Sequence, residues 1–160
     1  MFGLTQIGVI HTLISLVAVA AGLVAFVRDK GINPANTVGK VYIWATVLTC
    51  LTGFGIFAHG GFGKAHMLGI ITLVTLGVAW LGDKGKFGAK SVYVSTLCYS
   101  ITFVFHMIPA LTESSTRLPL DAPLLSSPEA PELKAATGVL LVLYVIGVTL
   151  QVRRLKAQRA

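Results

Sequence analysis

Charged side chains are scarce in this chain: Asp, Glu, Lys and Arg make up 12% of its 160 residues, where a soluble domain carries roughly a quarter. So little charge excludes a disordered chain, which stays unfolded by being polar, and excludes an ordinary water-soluble domain as well. Acidic residues are the rarest, six in all, and none falls inside the long apolar runs. Ion-coupled transport therefore has no carboxylate in the membrane to work through. The two cysteines, Cys50 and Cys98, lack CxxC spacing and sit in mid-run, too deep for an ordinary structural disulfide; they read as small core residues. Phosphate-binding glycine loops are missing, since Gly53-Phe54-Gly55 and His59-Gly60-Gly61-Phe62-Gly63 suit helix packing and a tight turn. No positive charge precedes the first apolar run, and that run continues past Ala18-Val19-Ala20, so it reads as a retained helix and not a cleaved signal. Internal repeats and low-complexity tracts are absent.

What remains is apolar: 54% of residues are hydrophobic and the mean hydropathy is +0.80. The length allows one domain. A net charge of +7 and a pI near 9.7 raise nucleic acid as a partner, but that needs an exposed basic face, and there is too little polar sequence to build one. The expected class is all-α, an integral membrane bundle of five transmembrane helices, each crossing needing about 20 mostly apolar residues. They are expected at about 4–27, 41–58, 65–81, 92–111 and 135–152.

Lys and Arg fix the orientation. With the N-terminus outside, one side collects Arg28, Lys30, Lys40, Lys84, Lys86, Lys90, Arg153, Arg154, Lys156 and Arg159, while the other holds only Lys64, Arg117 and Lys134. The expected placement is the bacterial inner membrane, N-terminus periplasmic and C-terminus cytoplasmic. Loops between the first four helices are short, which makes those helices antiparallel neighbours. An outer loop over 112–134, with Pro119, Pro123, Pro128 and Pro131, is too proline-rich for a long helix; it reads either as a functional segment over the bundle mouth or as a tether to helix five.

All four histidines fall in the outer half. His11 lies about two turns into helix one, His59 ends helix two, His66 opens helix three, and His106 lies about one turn inside the end of helix four. Ionisable residues within spans are costly and are functional candidates, which applies most to His11 and His106. Small residues run beside them: Ser15, Ala18 and Gly22 after His11, Gly55 and Thr52 before His59, Gly69 and Gly77 after His66. These admit close helix contact or room for a planar cofactor. Behind His106, Thr102, Tyr99 and Ser95 form a polar stripe suited to supporting hydrogen bonds.

Three chemistries use such a cluster. One is b-type haem held by two imidazoles, with His11 and His106 as the favoured axial ligands, His59 and His66 as alternatives, and Arg117 or Lys64 at the propionates. Another is copper or zinc bound by three or four of His11, His59, His66 and His106. The last is a proton or quinone site in which His and Glu113 exchange protons with an isoprenoid head group.

The residues His11 with Gly22, Gly39-Lys40-Val41-Tyr42, Thr52-Gly53-Phe54-Gly55, His59-Gly60-Gly61-Phe62-Gly63 with His66, Phe105-His106-Met107-Ile108-Pro109 and Thr112-Glu113-Ser114-Ser115-Thr116-Arg117-Leu118-Pro119 resemble a family of small bacterial inner-membrane proteins defined only as a domain of unknown function. The resemblance covers nearly the whole chain and implies its fold, without bringing an activity. The architecture is similar to four-helix transmembrane cytochromes b, but their ligands in both leaflets are not matched here. The sequence thus leads to a four-helix, His-lined core with a peripheral fifth helix. Its expected function is a b-haem redox protein exchanging electrons with quinone or a periplasmic partner, as a homo-oligomer or within a larger membrane complex. The alternative is a copper- or zinc-binding or non-catalytic accessory subunit of such a complex. Lipid is a partner in either case and nucleic acid in neither.

Overall fold

Helices begin and end in this chain where polar side chains satisfy their free backbone groups. In the computed structural model, which describes residues 5–57 and 61–158, α1 (Gln6–Asp29) starts at Thr5, whose hydroxyl accepts the Gly8 N–H at 3.2 Å, and stops where Lys30 turns left-handed. Asn36 caps α2 (Thr37–Gly53): its side-chain oxygen accepts the Gly39 N–H and its amide donates to Asp29, both at 2.8 Å. One residue thus starts α2 and ties it to the end of α1. Glycine is required at 39, since a Cβ there would stand 1.9 Å from the Asn33 carbonyl oxygen. Next come α3 (Lys64–Asp83), a 3-10 turn (Gly88–Lys90), α4 (Ser91–Arg117) and α5 (Pro131–Ala157). Pro131 opens α5, where its missing N–H costs nothing.

The fold is all-helical, with no strand among the described residues. α1 packs on α2, α2 on α3, α3 on α4 and α4 back on α1, closing a four-helix ring; α5 lies outside it, against α4. Small residues let the ring close: Ala18, Ala21, Gly22 and Ala25 are the buried face of α1. At Gly22 a Cβ would come within 2.5 Å of the Phe103 ring on α4. The outward faces are the apolar ones, with Leu13, Leu16, Trp44, Val74, Trp80 and Leu143 all exposed. Among the described residues α1, α3, α4 with its preceding turn, and α5 are long and apolar enough to cross a bilayer. This is a multi-pass membrane protein.

The observed bounds correct several expectations. α2 ends at Gly53 and not at 58, because the chain turns at Phe54–Gly55; its 17 residues make about 26 Å, short of a hydrocarbon core of roughly 30 Å. α4 runs through Pro109 to Arg117, and α5 starts at Pro131, so the loop expected over 112–134 shrinks to 118–130. Beyond the proline the Thr112 and Thr116 hydroxyls donate to the Ile108 and Thr112 carbonyls at 2.9 and 2.8 Å. The peripheral α5 is as expected, with Leu133 its one buried residue. It is nonetheless tied on: Tyr144 donates to the Leu97 carbonyl at 3.2 Å, and Gln151 accepts from Ser100 and donates to the Lys30 carbonyl, each at 2.9 Å. Gly77, Gly138 and Gly147 have nothing within 4 Å of where a Cβ would be, so the close contacts belong to other glycines.

Candidate functional site

Three threonines on α2, Thr46, Thr49 and Thr52, recur at helical spacing on one face. Each hydroxyl donates to the carbonyl four residues earlier at 2.8 Å: Thr46 to Tyr42, Thr49 to Ala45 and Thr52 to Leu48. Having used its one proton, each oxygen can only accept from a further partner. Two histidines arrive from neighbouring helices. On α4, His106 places Nε2 3.0 Å from the Thr46 hydroxyl. On α1, His11 places Nδ1 3.0 Å from the Thr49 carbonyl oxygen and 3.1 Å from the Thr52 hydroxyl.

These partners assign the tautomers. A carbonyl only accepts, so His11 carries its proton on Nδ1 and keeps a lone pair on Nε2. The committed Thr46 hydroxyl makes His106 the donor through Nε2, and its lone pair lies on Nδ1. Room for His11 comes from Gly53, whose Cβ, if present, would stand 3.2 Å from the imidazole Cε1. His106 is enclosed, 7% exposed, with Tyr42 edge-on at 6.0 Å between ring centroids. Tyr42 and Thr46 are both fully buried. The Tyr42 hydroxyl donates at 2.8 Å to Thr102, whose own proton goes to the Tyr99 carbonyl.

The predicted site residues are distributed as follows. His11 and His106 converge on one face of α2, about a helical turn apart. His106 precedes the end of α4 by about three turns, not one, because that helix continues to Arg117. The stripe Thr102, Tyr99 and Ser95 does share its side of α4 but serves other partners. Thr102 meets Tyr42, while Tyr99 (2.7 Å) and Ser95 donate to Asp83 and staple α4 to α3. Arg117 pairs with Glu113 one turn earlier on the exposed end of α4, and Lys64 pairs with Glu129 of the loop at 2.6 Å. His59 lies outside the described residues.

His66 stands apart from the other two. It is the third residue of α3 and accepts the Gly63 N–H on Nδ1 at 3.1 Å, which caps the helix start. Its neutral ring therefore carries the proton on Nε2. That atom is buried and has no hydrogen-bond partner among the described residues. Phe57 and Phe62 both stack against its ring, with centroids at 5.0 and 5.1 Å.

A metal ion needs ligand lone pairs converging on one point. Among the described residues no group of three or more His, Cys, Asp or Glu is placed to hold one. A b-type haem needs two imidazole lone pairs across a flat slot. His11 fits that role, with Nδ1–H anchored on a carbonyl and Nε2 free. His106 offers Nδ1 from an enclosed ring, and His66 as capped offers no lone pair at Nε2. Two shallow depressions, along Val148–Lys156 of α5 and around Leu124–Glu132 of the loop, contain no histidine.

The threonine ladder went unread in the sequence beyond Thr52, although its spacing of three residues is visible there. Gln151 and Asp83 carried no signal, since their partners lie on other helices. The chain matches no protein-family model, no curated protein and no solved structure in the comparisons made.

Proposed function

We propose that this is a multi-pass protein of the bacterial inner membrane that exchanges protons at the His11–His106 pair, as the proton-handling site of a redox protein working with a quinone or a periplasmic electron carrier. The observation that carries the reading is the α2 ladder: two imidazoles in an apolar bundle are each held by an α2 oxygen, and those partners assign them opposite tautomers, each with one lone pair left. The pair faces the periplasm in this reading, because the basic clusters gather at the opposite ends of the helices. A proton arriving at His11 Nε2 leaves the Nδ1–H bond to Thr49 intact. Potentiometric titration of the protein in nanodiscs tests this. Replacing His11 by Gln removes about one bound proton on acidification; an unchanged proton count in the His11→Gln and His106→Gln variants alike overturns the reading.

A second reading is favoured by the posture of His11, whose anchored Nδ1–H and free Nε2 would suit an imidazole that holds a haem. Haem b held by His11, with His106 through Nδ1 as the second ligand, would supply one-electron chemistry. A Soret band in protein expressed with haem, lost in His11→Ala, is the result it requires. Absence of the band from wild-type protein removes it.

A further inference from the structure

We propose that His66 is the hydrogen-bond donor of a quinone-binding site at the start of α3, with Phe57 and Phe62 as its clamp. The inference rests on the reading of the protein as a redox protein working with a quinone, and names where the head group docks. The capping bond from Gly63 forces the proton onto Nε2, and Nε2 is then a buried donor with no acceptor among the described residues. Buried donors are nearly always satisfied, so one left open marks the place of a missing acceptor. The residue is 6% exposed, while Phe57 and Phe62 beside it are 57% and 61% exposed. Two aromatic faces thus reach outward from a concealed N–H. Phe62 is set between Gly61 and Gly63, around which a Cβ would meet nothing within 4 Å, so the approach to the stacked rings is open.

The chemistry of the acceptor follows from that setting. A neutral imidazole among phenyl rings favours an uncharged acceptor over an anion, because the clamp offers no cation to replace the anion's water. The stacked faces favour a planar ring. The nearest cation on α3, Lys64, is already paired with Glu129. A ring carbonyl on a lipid-soluble body meets both conditions, and that is a quinone. His66 binds the carbonyl oxygen through Nε2–H; it takes no part as a metal ligand.

Decylubiquinone binding to the full-length protein in nanodiscs provides the test, read as a dissociation constant and as the carbonyl stretch of the carbonyl-labelled quinone. Wild-type protein binds saturably and shifts the stretch to lower frequency. His66→Phe, which keeps the stack and loses the donor, weakens binding about tenfold and abolishes the shift. His66→Gln, whose amide can cap Gly63 and still donate, recovers part of both; Leu143→Ala on the outer face of α5 changes neither. Equal affinity in wild-type and His66→Phe protein overturns the site, as does the lack of saturable binding. That failure leaves the His11–His106 titration standing, since no quinone enters it. Conversely, an unchanged proton count with normal quinone binding removes the proton-handling reading alone.

Discussion

Replacing Thr46 by Val removes one oxygen from the centre of the bundle and nothing else of size. The position is fully buried, and His106, its partner at 3.0 Å, is 7% exposed. The Tyr42 carbonyl loses a supplementary bond from Thr46 but keeps its place in the α2 ladder of backbone bonds. The main loss is therefore the acceptor for His106 Nε2–H, left as a buried unpartnered donor. Such a group costs about 1–3 kcal/mol in a protein interior, whereas hydrogen bonds between membrane helices average about 0.6 and reach about 1.7 kcal/mol. Enclosure of both groups puts Thr46→Val near the upper membrane value, about 1.5 kcal/mol, or a little over tenfold in the unfolding constant. Thr49→Val is the internal control: His11 is held by the Thr49 carbonyl, which valine retains, so the expected loss is under about 0.5 kcal/mol. Both are measured by SDS-induced unfolding in mixed micelles, followed by tryptophan fluorescence. A Thr49→Val loss equal to or larger than that of Thr46→Val would refute the assignment of acceptors. So would additivity of Thr46→Val with His106→Phe, since groups in contact must couple.

Three further outcomes follow from the packing and the charges. Gly22→Ala forces a Cβ to within 2.5 Å of Phe103 and 3.1 Å of Tyr42; overpacking of this kind costs about 1–3 kcal/mol, read in the same unfolding assay. Gly53→Ala meets the His11 ring at 3.2 Å, so it shifts the His11 side-chain resonances and the proton count while costing less stability than Gly22→Ala. Lys64 beside Glu129 holds that exposed carboxyl below the usual glutamate range. A depressed carboxyl contributes at neutral pH and loses its contribution as the pH falls through the lowered value. Hydrogen exchange over 118–130 therefore rises, relative to the intrinsic rate, at pH below about 4, and Lys64→Gln raises it already at neutral pH. Identical exchange in that variant would separate the ion pair from loop order.

Composition and the apolar runs made the helices legible, because a chain with so little charge can satisfy its backbone in lipid only by helix or closed barrel. They did not make the ends legible. Pro109 reads as a stop, yet α4 passes through it to Arg117. Conversely, apolar Phe54 and Ile56 read as more helix, yet the chain turns after Gly53. Of the site, His11 and His106 were chosen from depth alone, and the structure leaves His11 half-buried while His106 and His66 are the buried ones. What each imidazole touches was not legible, because the acceptors sit on α2, 38 residues from His11 and 60 from His106. His66 shows the same limit: its position at a helix start was readable, but the proton on Nε2 follows only from the Gly63 contact.

The opposite tautomers of His11 and His106 are the core of the account, and selective ¹⁵N-histidine spectra of the protein in nanodiscs measure them directly. The account predicts a protonated Nδ1 on His11 and a protonated Nε2 on His106 at neutral pH, with His11 Nε2 gaining the proton on acidification. Nε2–H on His11, or a rapid average of both tautomers at either residue, would contradict it.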